Sequence, residues 1–209
     1  MGYYLLILFL ICMLGGIIEY GRAQELTATF VVGKKRRTIY RLDFLWLVIL
    51  IILLLFGGLR YDVGTDYHSY CNMFAALYED WNEVLYGGTE RGYVWLNRIV
   101  SLYTNDPQWI IFITNGIITC IGVHCLRKYC RFAPFGLFIF FTTLYYYSFN
   151  LIRQGMAAAF VFWAVCEAGE RKWIKSMLLC LLATTFHQTA WLMVPVIILM
   201  GFRYRPVWY

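Results

Sequence analysis

Residues Leu42–Leu59 read L-D-F-L-W-L-V-I-L-I-I-L-L-L-F-G-G-L, an apolar run between Arg41 and Arg60 that holds one charged residue, Asp43. At roughly 1.5 Å of rise per residue, a helix of this length approaches the hydrocarbon thickness of a bilayer, about 30 Å. The run therefore predicts a membrane span. Working outward, further apolar runs lie at 3–18, 108–126, 132–149, 151–168 and 173–201, each bounded by charges or turn residues. Composition agrees, with 61% hydrophobic, 20% aromatic and 14% charged residues and a mean hydropathy of +0.62, outside the range of an ordinary soluble domain. The expected fold is an all-α polytopic transmembrane helix bundle, a single multi-pass membrane domain over residues 1–209. It should have about five full spans plus a broken or re-entrant last segment. Residues 3–18 lack the positive flank and small-residue cleavage site of a signal peptide, so they read as a membrane helix.

The charges segregate between these runs. Arg22, Lys34, Lys35, Arg36, Arg37 and Arg41 make 19–41 a basic loop, and Arg127, Lys128 and Arg131, then Arg171, Lys172 and Lys175, mark two more. By the positive-inside rule these are cytoplasmic. The segment 60–107 carries Asp62, Asp66, Glu79, Asp80, Glu83, Glu90 and Asp106 and no lysine, and reads as an extracytoplasmic loop. The N-terminus is then outside. The net charge of +6 is a topology signal, and nucleic acid is not an expected partner, since no soluble basic stripe with interleaved aromatics is present. The cysteines Cys12, Cys71, Cys120, Cys125, Cys130, Cys166 and Cys180 show no disulfide or zinc-ligand spacing.

The last run conflicts with the charge rule if it is one span, because Arg203 and Arg205 would be stranded outside. A break at His187, Gln188 and Thr189 removes the conflict: Trp173 to Phe186 would rise and Ala190 to Gly201 descend. Such short limbs need cover from neighbouring helices or a water-filled cavity.

Three polar groups then share the outer face. The first is Arg60, Tyr61, Asp62, Val63, Gly64, Thr65, Asp66 and Tyr67, with His68 and Tyr70 following. Its charged and hydroxyl groups suit a hydroxylated ligand, although a solvated helix exit turning at Gly64 accounts for them equally. The second is Asn150, Arg153 and Gln154 at a helix start, where the dipole and free N–H groups already favour an anion; arginine snorkelling to lipid headgroups is the plainer reading. The third is His187 with Gln188 and Thr189, an ionisable residue inside an apolar run and hence a functional candidate, unless one interhelical hydrogen bond satisfies it. A neutral imidazole there could take a hydroxyl proton. Tyr67, Tyr70, Trp81, Tyr86, Tyr93 and Trp95 could stack on sugar rings, or form an interfacial aromatic belt.

On these residues the chain resembles the EpsG-like family of bacterial membrane proteins, of the Wzy polysaccharide-polymerase type. The matching pieces are RYDVGTDYHSY at Arg60–Tyr70, ERGY at Glu90–Tyr93, NLIRQGMA at Asn150–Ala157, and FHQTA at Phe186–Ala190 with Pro195. They occur in the family's order and cover most of the chain. Arg91 stands where the family usually has proline, which affects only that loop. Family members usually continue into further membrane helices beyond the FH segment, so a chain ending at Tyr209 reads as a truncated product, a fragment, or a piece that needs a partner.

The resemblance implies a GT-C-like polymerase fold and glycosyl transfer between undecaprenyl-diphosphate-linked oligosaccharides at the outer face of the bacterial cytoplasmic (inner) membrane. The expected partners are that lipid-linked oligosaccharide, the bilayer and other polysaccharide assembly proteins; no cofactor and no metal are expected. His187, Arg153, Arg60, Asp62 and Asp66 are the expected catalytic set. Arg60 and Arg153 would stabilise the departing diphosphate, His187 would accept the proton, and the aspartates would orient sugar or histidine. Tyr67, Tyr70, Glu90, Tyr93, Asn150 and Gln154 are the expected substrate-binding set. Capsule, exopolysaccharide and O-antigen remain open as products. The competing classes are a non-catalytic or truncated subunit of a polysaccharide export system, and a membrane transporter, which would spread ionisable residues through the depth of the bundle.

Overall fold

The computed structural model describes residues 2–24, 27–32, 35–79 and 88–201. Asp80, Trp81, Glu83, Tyr86, Lys34, Arg203 and Arg205, and the side chains of Lys35, Arg36, Arg37, Arg41 and Glu79, lie outside the described part. The described chain is helical apart from one two-stranded hairpin. Helix α1 (Gly2–Ala23) is followed by β1 (Thr27–Val32) and β2 (Lys35–Tyr40), paired antiparallel with Thr27 opposite Tyr40. After a 3₁₀ turn come α2 (Leu45–Gly58), α3 (Tyr67–Glu79), α4 (Arg91–Ser101) and α5 (Gln108–Tyr129). Helix α6 (Ala133–Ile139) leads through irregular turns to α7 (Ile152–Gly169), α8 (Trp173–Phe186) and α9 (Met193–Gly201). The basic segment 19–41 is thus not all loop: α1 runs on through Arg22, whose guanidinium pairs with Glu19 one turn back at 3.0 Å. The segment 60–107 likewise contains α3 and α4.

Helix α5 sits at the centre because two of its faces are buried. Ile111 and Ile118 join Phe74, Tyr93, Met156 and Phe186 in one apolar cluster. Val123 and Leu126 join Ile11, Ile49, Leu53, Leu137 and Phe141 in another. The periphery is apolar too: α1 exposes Leu5, Leu6, Phe9 and Met13, and α8 exposes Ile174, Leu178 and Leu182. Apolar side chains displayed on this scale need a hydrocarbon solvent, and this chain is a membrane protein. Helices α1 and α5, each of 22 residues, are long and apolar enough to cross a membrane; the other apolar helices are shorter.

The run 132–149, expected as one span, is broken up. It forms α6, a π-helical stretch over Phe140–Tyr145 and a 3₁₀ turn over Tyr147–Phe149. Two forces distort it. Thr142 and Thr143 turn their hydroxyls back onto the Phe138 and Ile139 carbonyls, a competition that bends helices. Tyr145 meanwhile donates to the Leu53 carbonyl at 2.5 Å, locking the wide turn against α2. The final run also breaks, at His187. That residue is extended (φ −158, ψ 132), and α9 folds back along α8, with Ile197 against Leu179 and Cys180. A Cβ at Gly201 would lie 3.9 Å from the Trp173 ring, so the end of α9 meets the start of α8.

Candidate functional site

The site forms where α4 begins, α7 begins and α8 ends. Gly92, in the first turn of α4, presses on the last turn of α8 so closely that a Cβ would lie 2.7 Å from the Thr185 carbonyl oxygen. That contact sets Glu90, the N-cap position of α4, beside His187, the C-cap position of α8. The Glu90 carboxylate makes no side-chain capping bond to its own helix. It turns instead to two partners from distant segments: Oε1 lies 2.8 Å from His187 Nδ1, and Oε2 takes an ion pair from Arg153 Nη1. Burial works to raise the Glu90 carboxyl, but its own backbone N–H, the Arg153 charge and the His187 ring outweigh it and hold it below the usual range.

Arg153 comes from the first turn of α7, where free N–H groups and the helix dipole add positive potential. One of those N–H groups, on Ile152, donates to the Tyr70 hydroxyl at 3.2 Å. Tyr70 also faces Arg153 and packs edge-on against Tyr93 with ring centroids 5.8 Å apart. Tyr93 itself is fully buried and serves as the floor under the group. Arg153, Glu90, His187 and Tyr70 therefore form one constellation, in which Nε2 of half-buried His187 has no partner among the described residues.

Arg60 lies apart from that ion pair. It is 7% exposed, donates to the Gly57 carbonyl at 2.8 Å and stacks 4.4 Å over the Phe149 ring. Burial lowers its pKa to about 10, with the tyrosine hydroxyls around it opposing, so it is a cation at neutral pH. Among the described residues no carboxylate pairs with it. A nearly buried, uncompensated guanidinium is costly. Gln108 latches the surrounding backbone through the Gly58 and Arg60 carbonyls, at 2.8 and 3.0 Å, and accepts the Tyr67 hydroxyl at 2.7 Å. Tyr67 is thereby committed within the protein, and Gln108 is a positioning residue that the sequence did not single out.

Asp62 occupies a third place, a groove of about 460 Å³ lined by Tyr4, Asp62, Val63, Gly64, Thr65, Tyr146, Phe149 and Asn150, and Asp66 is not among its lining residues. Asp62 pairs with His68 Nε2 at 2.7 Å rather than with His187. Its φ of +51 and that of Gly64, +104, make the turn left-handed. A Cβ at Gly64 would lie 2.7 Å from the Phe149 carbonyl oxygen, and Asn150 Oδ1 pins the turn by accepting the Thr65 N–H at 2.9 Å. Asp66 accepts the Thr65 hydroxyl at 3.3 Å. Phe149 is shared: its ring lines the groove and carries Arg60. Gln154 lies on a different side of α7, in a small apolar groove with Tyr147, Ser148 and Leu151. Among the described residues no three His, Cys, Asp or Glu side chains gather as a metal-ligand group.

The sequence suggested Arg153, His187 and Glu90 separately, Glu90 as a substrate-binding residue, but not that its carboxylate joins the other two. Glu90 is 97 residues from His187 and 63 from Arg153, and no local spacing reports such a pairing. Its signal was the ERGY motif at Glu90–Tyr93, which marked the residue without naming its partners.

No curated protein and no solved structure matches the chain. The EpsG family model matches residues 43–209, taking in α2 to α9 and each of the three polar groups, while α1 and the hairpin fall before it. The chain belongs to the EpsG family.

Proposed function

We propose that this protein is a polysaccharide polymerase, a glycosyltransferase of the inner bacterial membrane that joins undecaprenyl-diphosphate-linked oligosaccharides at the outer face. The observation that carries this reading is the Glu90 carboxylate held between His187 and Arg153. A carboxylate on Nδ1 orients an imidazole and stabilises its charged form, which leaves Nε2 to take a proton. In this reaction an acceptor sugar hydroxyl attacks the anomeric carbon of the donor. Its proton passes to His187 Nε2, the bond from the anomeric carbon to the phosphate oxygen breaks, and the lipid diphosphate leaves with the electron pair.

Negative charge grows on the leaving oxygen as that bond breaks, and cations already fixed in place stabilise it without reorganisation. Arg153 and the start of α7 supply one such charge. Arg60, apart from that ion pair and neutralised by no carboxylate among the described residues, meets the other phosphate of the lipid diphosphate in this reading. The Asp62 groove, with Tyr4, Tyr146 and Phe149 as ring-sized walls, suits the hydroxyls and flat faces of a saccharide. One attack with no covalent intermediate inverts the anomeric centre.

The test is polymer length in a strain lacking its own polymerase, complemented with the chain and with Arg153→Ala, His187→Ala and Glu90→Gln at equal membrane levels. Long chains restored by the parent and reduced to single repeats by each variant are the expected result. Failure of the inserted parent to restore any polymer sinks the catalytic assignment and favours a non-catalytic subunit.

A further inference from the structure

Far from that constellation, at the other end of α2 and α5, lies a cavity of about 520 Å³. At the Gly57 and Gly58 end the two helices are in intimate contact, since a Cβ at Gly58 would lie 2.6 Å from the Phe112 ring. At the Trp46 end they leave a space walled by Leu47, Leu50 and Val123 and rimmed by Asp43 and Arg127. Two of these residues hold buried polar atoms with no hydrogen-bond partner among the described residues: the indole N–H of Trp46 and Oδ1 of Asp43. Trp46 is 2% exposed. Arg127 reaches the other Asp43 oxygen only at 3.4 Å, and its side chain is 52% exposed, so its remaining N–H groups are free to bind elsewhere.

We propose that this cavity binds a phospholipid with a primary-ammonium headgroup, of the phosphatidylethanolamine type. The cavity presents two needs. An orphaned indole donor and a half-exposed guanidinium require an acceptor that carries negative charge, which a phosphodiester supplies. The orphaned oxygen of Asp43, on the same cavity, requires a donor, which an ammonium supplies. Both orphaned atoms are buried behind the cavity wall, and binding requires Trp46 and Asp43 to turn their polar atoms toward the ligand. The Leu47, Leu50 and Val123 wall continues onto the lipid-facing side of α2, where Leu47 is exposed, and receives the first methylenes of an acyl chain. Basic pockets between helices at the membrane surface are established lipid sites; the added carboxylate selects among headgroups. A choline headgroup has no N–H to offer Asp43, and a glycerol headgroup has no positive charge. The site is independent of the catalytic reading.

The test is native mass spectrometry of the full chain in mild detergent, titrated with phosphatidylethanolamine, phosphatidylglycerol and phosphatidylcholine of identical palmitoyl-oleoyl chains. Ethanolamine lipid should be retained about tenfold over choline lipid, the scale of one charge-assisted hydrogen bond. Asp43→Ala should erase that preference while phosphate-driven binding persists. Trp46→Phe, which keeps the ring and loses only the N–H, should weaken retention of all three lipids, with α-helical circular dichroism unchanged. Equal retention of the three lipids by the parent overturns the proposal, as does a preference for the glycerol lipid. So does unaltered selectivity in Asp43→Ala.

Discussion

At the scale of single residues, Glu90 and Arg60 carry opposite problems. Glu90 is a carboxylate with two partners, and its depressed pKa makes it a stabilising group. The sign follows from linkage: the contribution is complete above the ordinary glutamate value of 4.5 and is lost as pH falls through the lower folded value. Detergent-solubilised protein should therefore melt progressively lower as pH drops below 4.5, and Glu90→Gln should flatten that dependence. The same substitution preserves shape but removes the charge that supports an imidazolium, and should slow chain lengthening by roughly 10²-fold or more. Arg60 is a cation with no carboxylate partner among the described residues. If it were a structural element, replacing it would unfold the protein; as a group held ready for an anion, it costs stability in the unliganded state. Arg60→Met should leave the melting temperature unchanged or raise it by the equivalent of about 1 kcal/mol, and abolish polymer formation. A large loss of stability would return Arg60 to a packing role.

At the scale of elements, the decisive contact is between α4 and α8. Gly92→Ala places a methyl 2.7 Å from the Thr185 carbonyl oxygen, against backbone that cannot rotate away. The helices must separate, at a cost of about 1–3 kcal/mol, and His187 moves off Glu90. Thermal unfolding and polymer length should fall together in this variant. The sequence foretold the break at His187 from a charge conflict at the far end of the run, and α8 and α9 do fold back on each other. It also marked Arg153 at a helix start. It did not foretell that 132–149 would abandon a single helix, because one of the two distorting contacts is the Tyr145 hydroxyl meeting the Leu53 carbonyl across 92 residues. Apolarity is legible along a chain; the partner of a buried hydroxyl is not.

At the scale of the molecule, one end carries the candidate site and the other is held by Glu167. This residue is fully buried on α7, with Lys175 of α8 at 2.7 Å, Lys172 at 3.4 Å and Lys128 of α5 at 3.6 Å, and with the Trp163 indole donating at 3.0 Å. The lysines are nearly half exposed, so solvent screens each pair in part. The carboxylate is the shared centre, and Glu167→Ala leaves three ammonium groups crowded together. It should cost about 2–4 kcal/mol, read as a fall in detergent melting temperature, and should act on the helix packing of the whole bundle without any effect on its products beyond the loss of folded protein. Equal stability of the variant would show that the lysines find lipid phosphates instead.

The sequence by itself determined that this is a helical membrane protein with its polar chemistry in three motifs, because apolar run length and charge segregation are local properties written in order along the chain. It also determined the family, through motifs that recur in order. Only the tertiary structure decided which motifs meet. Close packing at Gly92 brings Glu90 to His187 and Arg153, while the Asp62 turn, pinned by Asn150, pairs with His68, and Arg60 stacks on the Phe149 ring. The physical reason is that a buried charge is satisfied by whatever group the packing delivers within about 3 Å, and that delivery depends on helix contacts between residues scores of positions apart.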